Sequence, residues 1–323
     1  MGTQDTPILW VEPVWKEMIW GGERLRTEFH YEIPSDHTGE CWAISARSNG
    51  DCKITGGIYD GSTLTQLWTE APQLFGYLPY EQFPLLVKIL DAKEDLSIQV
   101  HPDDFYAKQH EGGPFGKSEC WYILDCEEGA ELVVGHHATS QEELYTMVME
   151  SRWTDLLRSV PIKKGDFIQI DSGTIHTIKG GIMIFEIQQN CDVTYRLYDY
   201  NRYSNGELRE LHVKESLDVM TVPSKPIEDV LRPAAQLPSN RMNRLITSKY
   251  YTVWKIEVTD SVILQQEYPF LICSVIEGEG SIDGQKIIKG RHFILPFRYG
   301  SFELHGKMQL IMSTIEFDMC HTQ

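Results

Sequence analysis

Short apolar or alternating segments, separated by Gly, Pro, Asp or Asn, follow one another along most of the chain. Segments of this kind predict β-strands joined by turns. In the first two thirds of the chain they lie at 83–90, 96–102, 120–124, 130–135, 167–170, 182–189 and 193–200. In the last third they lie at 251–258, 270–278, 292–297 and 308–315. The pattern indicates a mainly β protein built from sandwiches or barrels.

One clear helical pattern interrupts these strands, at about residues 140–158. Ser140 and Glu143 have the spacing of a capping box at its start, and Pro161 follows its end. Between them apolar residues mark one helical face, at Leu144, Met147, Val148, Leu156 and Leu157. We expect a small helical insertion here, and shorter helices near 64–70 and 103–110.

A spacing of glycines repeats in the two halves of the chain. Gly165 is followed at fixed offsets by Asp171, Gly173 and His176, whereas the matching stretch after Gly290 has no histidine at that offset. This spacing resembles the second signature motif of cupins, which are small double-sheet jelly rolls. The resemblance implies two cupin-type jelly-roll sandwiches, of which only the first keeps a metal-binding histidine.

The boundary between the two sandwiches is predicted from prolines. Residues 222–241 carry four prolines and break both the helical and the strand periodicity, which is typical of a connection. We therefore expect one domain over residues 1–225, with the helical insertion inside it. Residues 226–323 then form a degenerate C-terminal domain without a metal site.

Polar residues alternate with apolar ones on a predicted strand, so that Ser97, Gln99 and His101 point to one face. Lys117 and Glu119 are likewise two residues apart at the start of a strand. The oxygen and nitrogen donors of such a set suit a divalent ion such as Zn²⁺. The candidate ligands are Gln99, His101, Glu119 and His176. Taken singly, each could be an ordinary satisfied polar residue; together, the spacings favour a site.

The chain is strongly acidic, with 29 Lys plus Arg against 47 Asp plus Glu and a net charge of −18. This charge disfavours nucleic acid and anionic membrane surfaces as partners. The seven cysteines include no CxxC pair, and no apolar run approaches the length of a membrane span. We expect a soluble cytoplasmic protein, in which any anionic ligand is recognised by a few local cations.

Four ordered motifs, LSIQVHPDD, GKSECWYIL, GTIHTI and VTYRLYDYNR, together resemble the short bacterial form of the type I phosphomannose isomerases. The resemblance covers essentially the whole chain and makes residues 1–225 the catalytic domain. It implies a zinc-dependent aldose–ketose isomerase that interconverts mannose 6-phosphate and fructose 6-phosphate. One zinc ion per chain and a small sugar phosphate as the partner are expected. Whether the protein is a monomer or a homodimer stays open.

The resemblance also implies roles for residues. The zinc ligands of the family correspond to Gln99, His101, Glu119 and His176, and its active-site arginine corresponds to Arg196. Isomerisation through an enediol requires an acid/base group, for which Lys117 and Glu186 are both candidates.

Lys88 stands inside the apolar segment FPLLVKIL, where an unpaired ammonium group is costly if it is buried. We expect it to bind the substrate phosphate together with Ser97. The alternative is a Lys88 that extends from an edge strand to solvent.

Two other functions fit the same scaffold. A non-haem iron dioxygenase would also use histidine and glutamate ligands, but Gln99 and Lys117 disfavour it. A non-catalytic sugar-phosphate-binding cupin is expected to lack some of the site residues. Gln99, His101, Glu119, His176 and Arg196 are all present.

Overall fold

The computed structural model describes residues 7–204 and 206–315. The α-helices in this part of the chain are short: α1 Arg24–Phe29, α2 Leu64–Glu70, α3 Asp104–His110, α4 Gln141–Met149, α5 Trp153–Leu156, α6 Val213–Val219 and α7 Ile227–Val230. Two 3-10 helices span Gly57–Tyr59 and Pro72–Phe75.

Strands make up most of the described chain. Those before residue 210 are β1 Leu9–Glu12, β2 Val14–Glu17, β3 Thr38–Ile44, β4 Ala46–Arg47, β5 Gly50–Asp51, β6 Lys53–Thr55, β7 Leu85–Ala92, β8 Ile98–Val100, β9 Glu119–Asp125, β10 Glu131–His136, β11 Leu157–Pro161, β12 Phe167–Ile170, β13 His176–Thr177, β14 Ile182–Gln189, β15 Tyr195–Tyr198, β16 Tyr203–Ser204 and β17 Glu207–Leu208. Those after it are β18 Leu231–Arg232, β19 Asn243–Thr247, β20 Thr252–Val258, β21 Ser261–Gln266, β22 Leu271–Ile282, β23 Gln285–Ile288, β24 His292–Leu295 and β25 Gly300–Thr314. The expectation of a mainly β fold is confirmed.

Two sheets form the sandwich that carries the predicted site. One has the strand order β18-β12-β9-β14-β7-β3-β2, and the other has the order β11-β10-β13-β8-β15. Their facing side chains share one apolar core, to which Trp121 and Ile168 contribute from the first sheet and Leu132 and Val134 from the second. Polar side chains at one end of this core form the site described below.

The other face of the first sheet packs on a third sheet, which has the order β19-β20-β25-β22-β24-β1-β6, with β21 beside β25 and β23 beside β22. Ile89 and Phe185 from the first sheet and Ile272 and Ile311 from the third share this second core. Strands covered on both faces need apolar residues at nearly every position. β7 is covered in this way, so all eight of its residues are buried, and Lys88 is buried with them.

Two of the N-terminal strands, β1 and β6, belong to this third sheet, whereas β2 and β3 belong to the first. Leu9 of β1 pairs with Ile294 of β24, and β6 pairs with the other edge of β1. Within the predicted connection, β18 pairs with β12. Both sheets therefore combine strands from before and after residue 225. The two-domain division at that residue stays a prediction.

The single helix expected over 140–158 is wrong. Two helices, α4 and α5, occupy this stretch, and Ser151 between them has a φ of 55°, which ends the first helix. The N-cap is present, because Ser140 Oγ accepts a hydrogen bond from the backbone N–H of Glu143 at 3.2 Å. The Glu143 carboxylate accepts from Thr139, so the reciprocal half of the capping box is missing. Leu157 begins β11.

In the described part of the chain no helix combines the length and the apolar character that membrane crossing requires. The six cysteines in this part are free, and five of them are buried. Cys320 lies outside the described residues.

Candidate active site and metal centre

The four predicted ligand residues come from both sheets of the sandwich and meet at one end of it. Gln99 on β8 pairs directly with His176 on β13, and His101 follows β8. Glu119 starts β9 on the opposing sheet. Ligand atoms of His101, Glu119 and His176 lie within 4.8 Å of one another, and all three residues are buried.

Backbone carbonyls orient both histidines. Nδ1 of His101 donates to the carbonyl oxygen of Val193 at 2.9 Å, and Nδ1 of His176 donates to that of Thr174 at 2.8 Å. In each ring the lone pair of Nε2 therefore faces the cluster, as metal ligation requires. Burial lowers the pKa of both rings, that of His176 to about 3, so both stay neutral.

Glu119 completes the set of donors. Its Oε1 lies 3.4 Å from Nε2 of His176 and is a buried oxygen without a hydrogen-bond donor among the described residues. The Gln99 amide lies at the same place, with Nε2 3.3 Å from Nε2 of His176. Rotating this amide by half a turn presents its oxygen instead. Two neutral imidazoles, a carboxylate and an amide oxygen fit a divalent metal ion.

Lys117 lies next to these donors. Its ammonium group donates to Oε2 of Glu119 at 2.6 Å and lies 3.0 Å from Nε2 of His101. Burial raises the pKa of Glu119, and Lys117 opposes this rise. The ammonium and a bound metal ion compete for the same lone pairs, so metal binding requires Lys117 to give up these contacts.

Lys88 forms a second charged group in the pocket, within the buried part of its lining that we call the floor. Its Nζ lies 3.3 Å from Oε2 of Glu186 and 3.6 Å from Oε2 of Glu40. The indole N–H of Trp121 donates to Glu186 at 3.0 Å, and that of Trp42 donates to Glu40 at 2.6 Å. Burial works against every charge here. The two carboxylates outweigh the effect of burial on Lys88 and raise its pKa. Lys88 and Lys117 in turn outweigh the effect of burial on Glu186 and lower its pKa.

The predicted residues other than His101, Glu119 and His176 line one pocket, with that cluster beside it. They are Lys88, Ser97, Gln99, Lys117, Glu186 and Arg196. Ser97 Oγ donates to Oε1 of Gln99 at 3.3 Å. Arg196 donates from Nη1 to the carbonyl oxygen of Glu210 at 3.1 Å, while its buried Nε has no acceptor in the described part of the chain.

Two family models match this chain. The catalytic domain of type I phosphomannose isomerase matches residues 8–149, and the cupin domain of mannose-6-phosphate isomerase matches residues 241–315. Mannose-6-phosphate isomerase ManA of Bacillus subtilis (strain 168) is 49% identical over 313 residues, which cover 95% of this chain and 99% of ManA. The chain belongs to the type I phosphomannose isomerases.

Solved structures of phosphomannose isomerases agree with this membership. The mannose 6-phosphate isomerase from Bacillus subtilis, known from a crystal structure, is 43% identical in sequence, and its structure matches with a TM-score of 0.86. The match covers 95% of this chain and 99% of the Bacillus subtilis chain. The enzyme from Salmonella typhimurium, solved with fructose 6-phosphate and zinc, is 15% identical, with a TM-score of 0.77 over 96% of this chain and 100% of its own. At that identity it shows the fold alone. The expected cupin fold is confirmed.

The pocket also contains residues that sequence reasoning missed, namely Glu40 and Trp121 on the floor and Arg209 on the wall. Glu40 stands in the buried strand β3, so a charge within an apolar run could have revealed it, as it revealed Lys88. Arg209 follows the short hairpin β16–β17. Its polar surroundings in the sequence give no such signal, because only the tertiary fold brings it to the pocket.

Proposed function

We propose that this chain is a zinc-dependent mannose-6-phosphate isomerase that converts mannose 6-phosphate and fructose 6-phosphate into each other through an enediol. The names of the Bacillus subtilis relatives and the ligands of the Salmonella typhimurium structure support this substrate and metal. The observation that carries the proposal is the buried cluster of His101, Glu119 and His176 next to a pocket with paired lysines and glutamates. Free cysteines in the described chain support a cytoplasmic location.

His101, Glu119 and His176, with Gln99 as the fourth donor, would hold one zinc ion. Bound there, the ion would supply electrophilic polarisation of the carbonyl group of the substrate. The protein itself keeps both imidazoles neutral by burying them, and it orients them through the carbonyl oxygens of Val193 and Thr174. The site is thus prepared for a cation before the cation arrives.

Moving a proton between C1 and C2 requires a base and an acid close together. Glu186 is held as a carboxylate, because Lys88 and Lys117 lower its pKa, and it can accept a proton. Lys117 faces the same pocket with an ammonium group that can donate one. We assign the proton transfer to Glu186 and Lys117 as a pair.

Arg196 can stabilise the negative charge that develops on the enediol oxygens. Its buried Nε has a free N–H bond in the described structure, and a guanidinium holds an anion without exchanging protons. Ser97 and Lys88 remain the predicted phosphate contacts. Lys88, however, already shares its charge between Glu40 and Glu186, which leaves it less to offer a phosphate group.

Isomerisation in D₂O tests this proposal. If the proton moves through an enediol and a base that exchanges with solvent, fructose 6-phosphate formed from mannose 6-phosphate carries deuterium at C1. A Glu186→Gln variant is expected to lose activity by at least about 100-fold, while Glu131→Gln at a partly exposed ion pair away from the pocket serves as the control. Absence of fructose 6-phosphate would contradict the proposed function, product without deuterium would contradict a base that exchanges with solvent, and full activity of Glu186→Gln would contradict the role of Glu186.

A further inference from the structure

Positive charge collects on one wall of the pocket, where Arg196 and Arg209 both line it. Arg209 donates from Nη1 to Oδ2 of Asp199 at 2.8 Å, and Arg202 binds the other oxygen of that carboxylate. Asp199 is 2% exposed. Two guanidinium groups therefore share one buried carboxylate, and with Arg196 on the same wall the three arginines and Asp199 sum to a charge of about +2 at pH 7.

The two arginines on Asp199 differ in what else they bind. Arg202 uses all three of its nitrogens, because it donates to Asp199 from Nε and Nη2 and to the carbonyl oxygen of Asp95 from Nη1. Among the described residues, Arg209 uses only Nη1, so its remaining N–H groups are available to a ligand. Arg209 lines the pocket and Arg202 does not.

The cations on the floor of the pocket are already compensated. Lys88 and Lys117 line it with Glu40 and Glu186, and Lys117 also pairs with Glu119 beside the pocket. The arginine wall therefore offers a dianion more uncompensated positive charge than these lysines do. Each lysine on the floor has a carboxylate within 4.0 Å, whereas on the wall two arginines share Asp199 and Arg196 has no carboxylate that close in the described chain.

We propose that Arg209 binds the phosphate group of the substrate, held in place by Asp199, and that it determines the preference for phosphorylated over free sugar. This inference rests on the proposed function for the identity of the substrate. Arg202 acts as the support that fixes Asp199. The sugar then extends from Arg209 past Arg196 to the floor, with its C1 and C2 end toward His101, Glu119 and His176.

Two arginine variants that share one partner test the proposal. Arg209→Ala is expected to lower the ratio of kcat/KM for mannose 6-phosphate to kcat/KM for mannose by about 10- to 100-fold, mostly through KM, because it removes charged hydrogen bonds to the phosphate. Arg209→Lys is expected to recover part of the loss. Arg202→Ala, which disturbs the same carboxylate from outside the pocket, should change the ratio much less. Equal ratios in Arg209→Ala and Arg202→Ala would overturn the proposal.

Binding of inorganic phosphate, measured by calorimetry on the same zinc-loaded proteins, gives a second readout that needs no turnover. The affinity should fall in Arg209→Ala and persist in Arg152→Ala, a control at an exposed ion pair. If wild type binds phosphate through Arg209 but does not isomerise mannose 6-phosphate, the proposed function fails and the anion site stands. If phosphate binds equally to Arg209→Ala and turnover is normal, the anion site fails alone. A selectivity loss in Lys88→Gln that is absent in Arg209→Ala would return the phosphate to Lys88.

Discussion

Glu119 contacts both parts of the site, the candidate metal ligands on one side and the buried lysine on the other. One carboxylate oxygen faces Nε2 of His176 at 3.4 Å, and the other accepts a hydrogen bond from Lys117 at 2.6 Å. The carboxylate is fully buried, so its charge is compensated only by these neighbours and by a bound cation. Glu119 thus links the candidate metal cluster to Lys117, the proposed proton donor.

We predict that Glu119→Gln reduces zinc affinity by more than about tenfold, since even residues that only support a metal ligand reach that effect. The amide keeps the shape of the side chain but loses the charge. Zinc content after dialysis against a competing chelator, read by atomic absorption, measures the change. Glu131→Gln at the surface is the control, and unchanged zinc retention in Glu119→Gln would exclude the carboxylate as a ligand.

Alternation along single strands explains which site residues could be predicted. Ser97, Gln99 and His101 share a face because they are two residues apart on or beside β8, and that relation needs no tertiary knowledge. Glu40 and Arg209 reach the pocket only because β3 lies beside β7 and because the hairpin β16–β17 returns to the wall. Strand order and loop paths depend on the whole fold, so a local pattern could not place them.

At the scale of elements, a buried hydrogen-bond chain joins the segment after α1 to the third sheet. Tyr31 O–H donates to the carbonyl oxygen of Gly290 at 2.6 Å, and it lies 2.8 Å from Nε2 of His292. Nδ1 of His292 lies 2.8 Å from Oγ of Ser274. Because Tyr31 uses its proton on Gly290, Nε2 of His292 carries the ring proton and Nδ1 accepts from Ser274.

The buried His292 in these hydrogen bonds predicts that the stability of the protein depends on pH. Burial lowers the pKa of His292 to about 3, against an ordinary value near 6.5 in the unfolded chain. The unfolded state therefore binds more protons between these values, so the stability present above pH 6.5 is lost as the pH falls. We expect His292 to account for a loss of about 2 kcal/mol between pH 7 and pH 5.

Urea unfolding of wild type and His292→Gln at several pH values measures this contribution. The glutamine cannot be protonated, so the unfolding free energy of the variant should fall less steeply over that range. His137→Gln changes an exposed histidine and is the control. Parallel curves for wild type and His292→Gln would show that His292 takes up no proton on unfolding.

At the scale of the whole molecule, the seven-stranded sheet is the centre of the fold, because it is covered on both faces. Continuous apolar runs such as FPLLVKIL and IMIFEIQQ made its strands predictable. The pairing of β1 with β24 was not predictable, because Leu9 and Ile294 are far apart in sequence and any apolar strand could serve as the partner. The same is true of β18, whose two residues give no periodic signal.

We predict that residues 226–323 do not fold when expressed alone. Without β1, strand β24 loses one of its pairing strands and exposes an unpaired edge. Ile272, Ile294 and Ile311 also lose the apolar layer that covers them. Circular dichroism and amide exchange should show no cooperative unfolding, and co-expression with residues 1–225 should restore it. A cooperative transition of the fragment alone would show that the two parts are independent.

The net charge of −18 bears on the substrate at this same scale. Most of the acidic residues are exposed to water and salt, which screen them beyond about 10 Å. Arg196 and Arg209 act within one pocket at much shorter range. An acidic protein can therefore bind a sugar phosphate while it repels large polyanions.

A coupled assay of mannose 6-phosphate conversion on metal-stripped protein, before and after zinc is restored, tests the central claim most directly. The stripped protein should be inactive, and activity should return in proportion to zinc up to about one ion per chain, the number that a single four-ligand site can hold. Undiminished activity in fully stripped protein, or no activity after zinc is restored, would contradict the account.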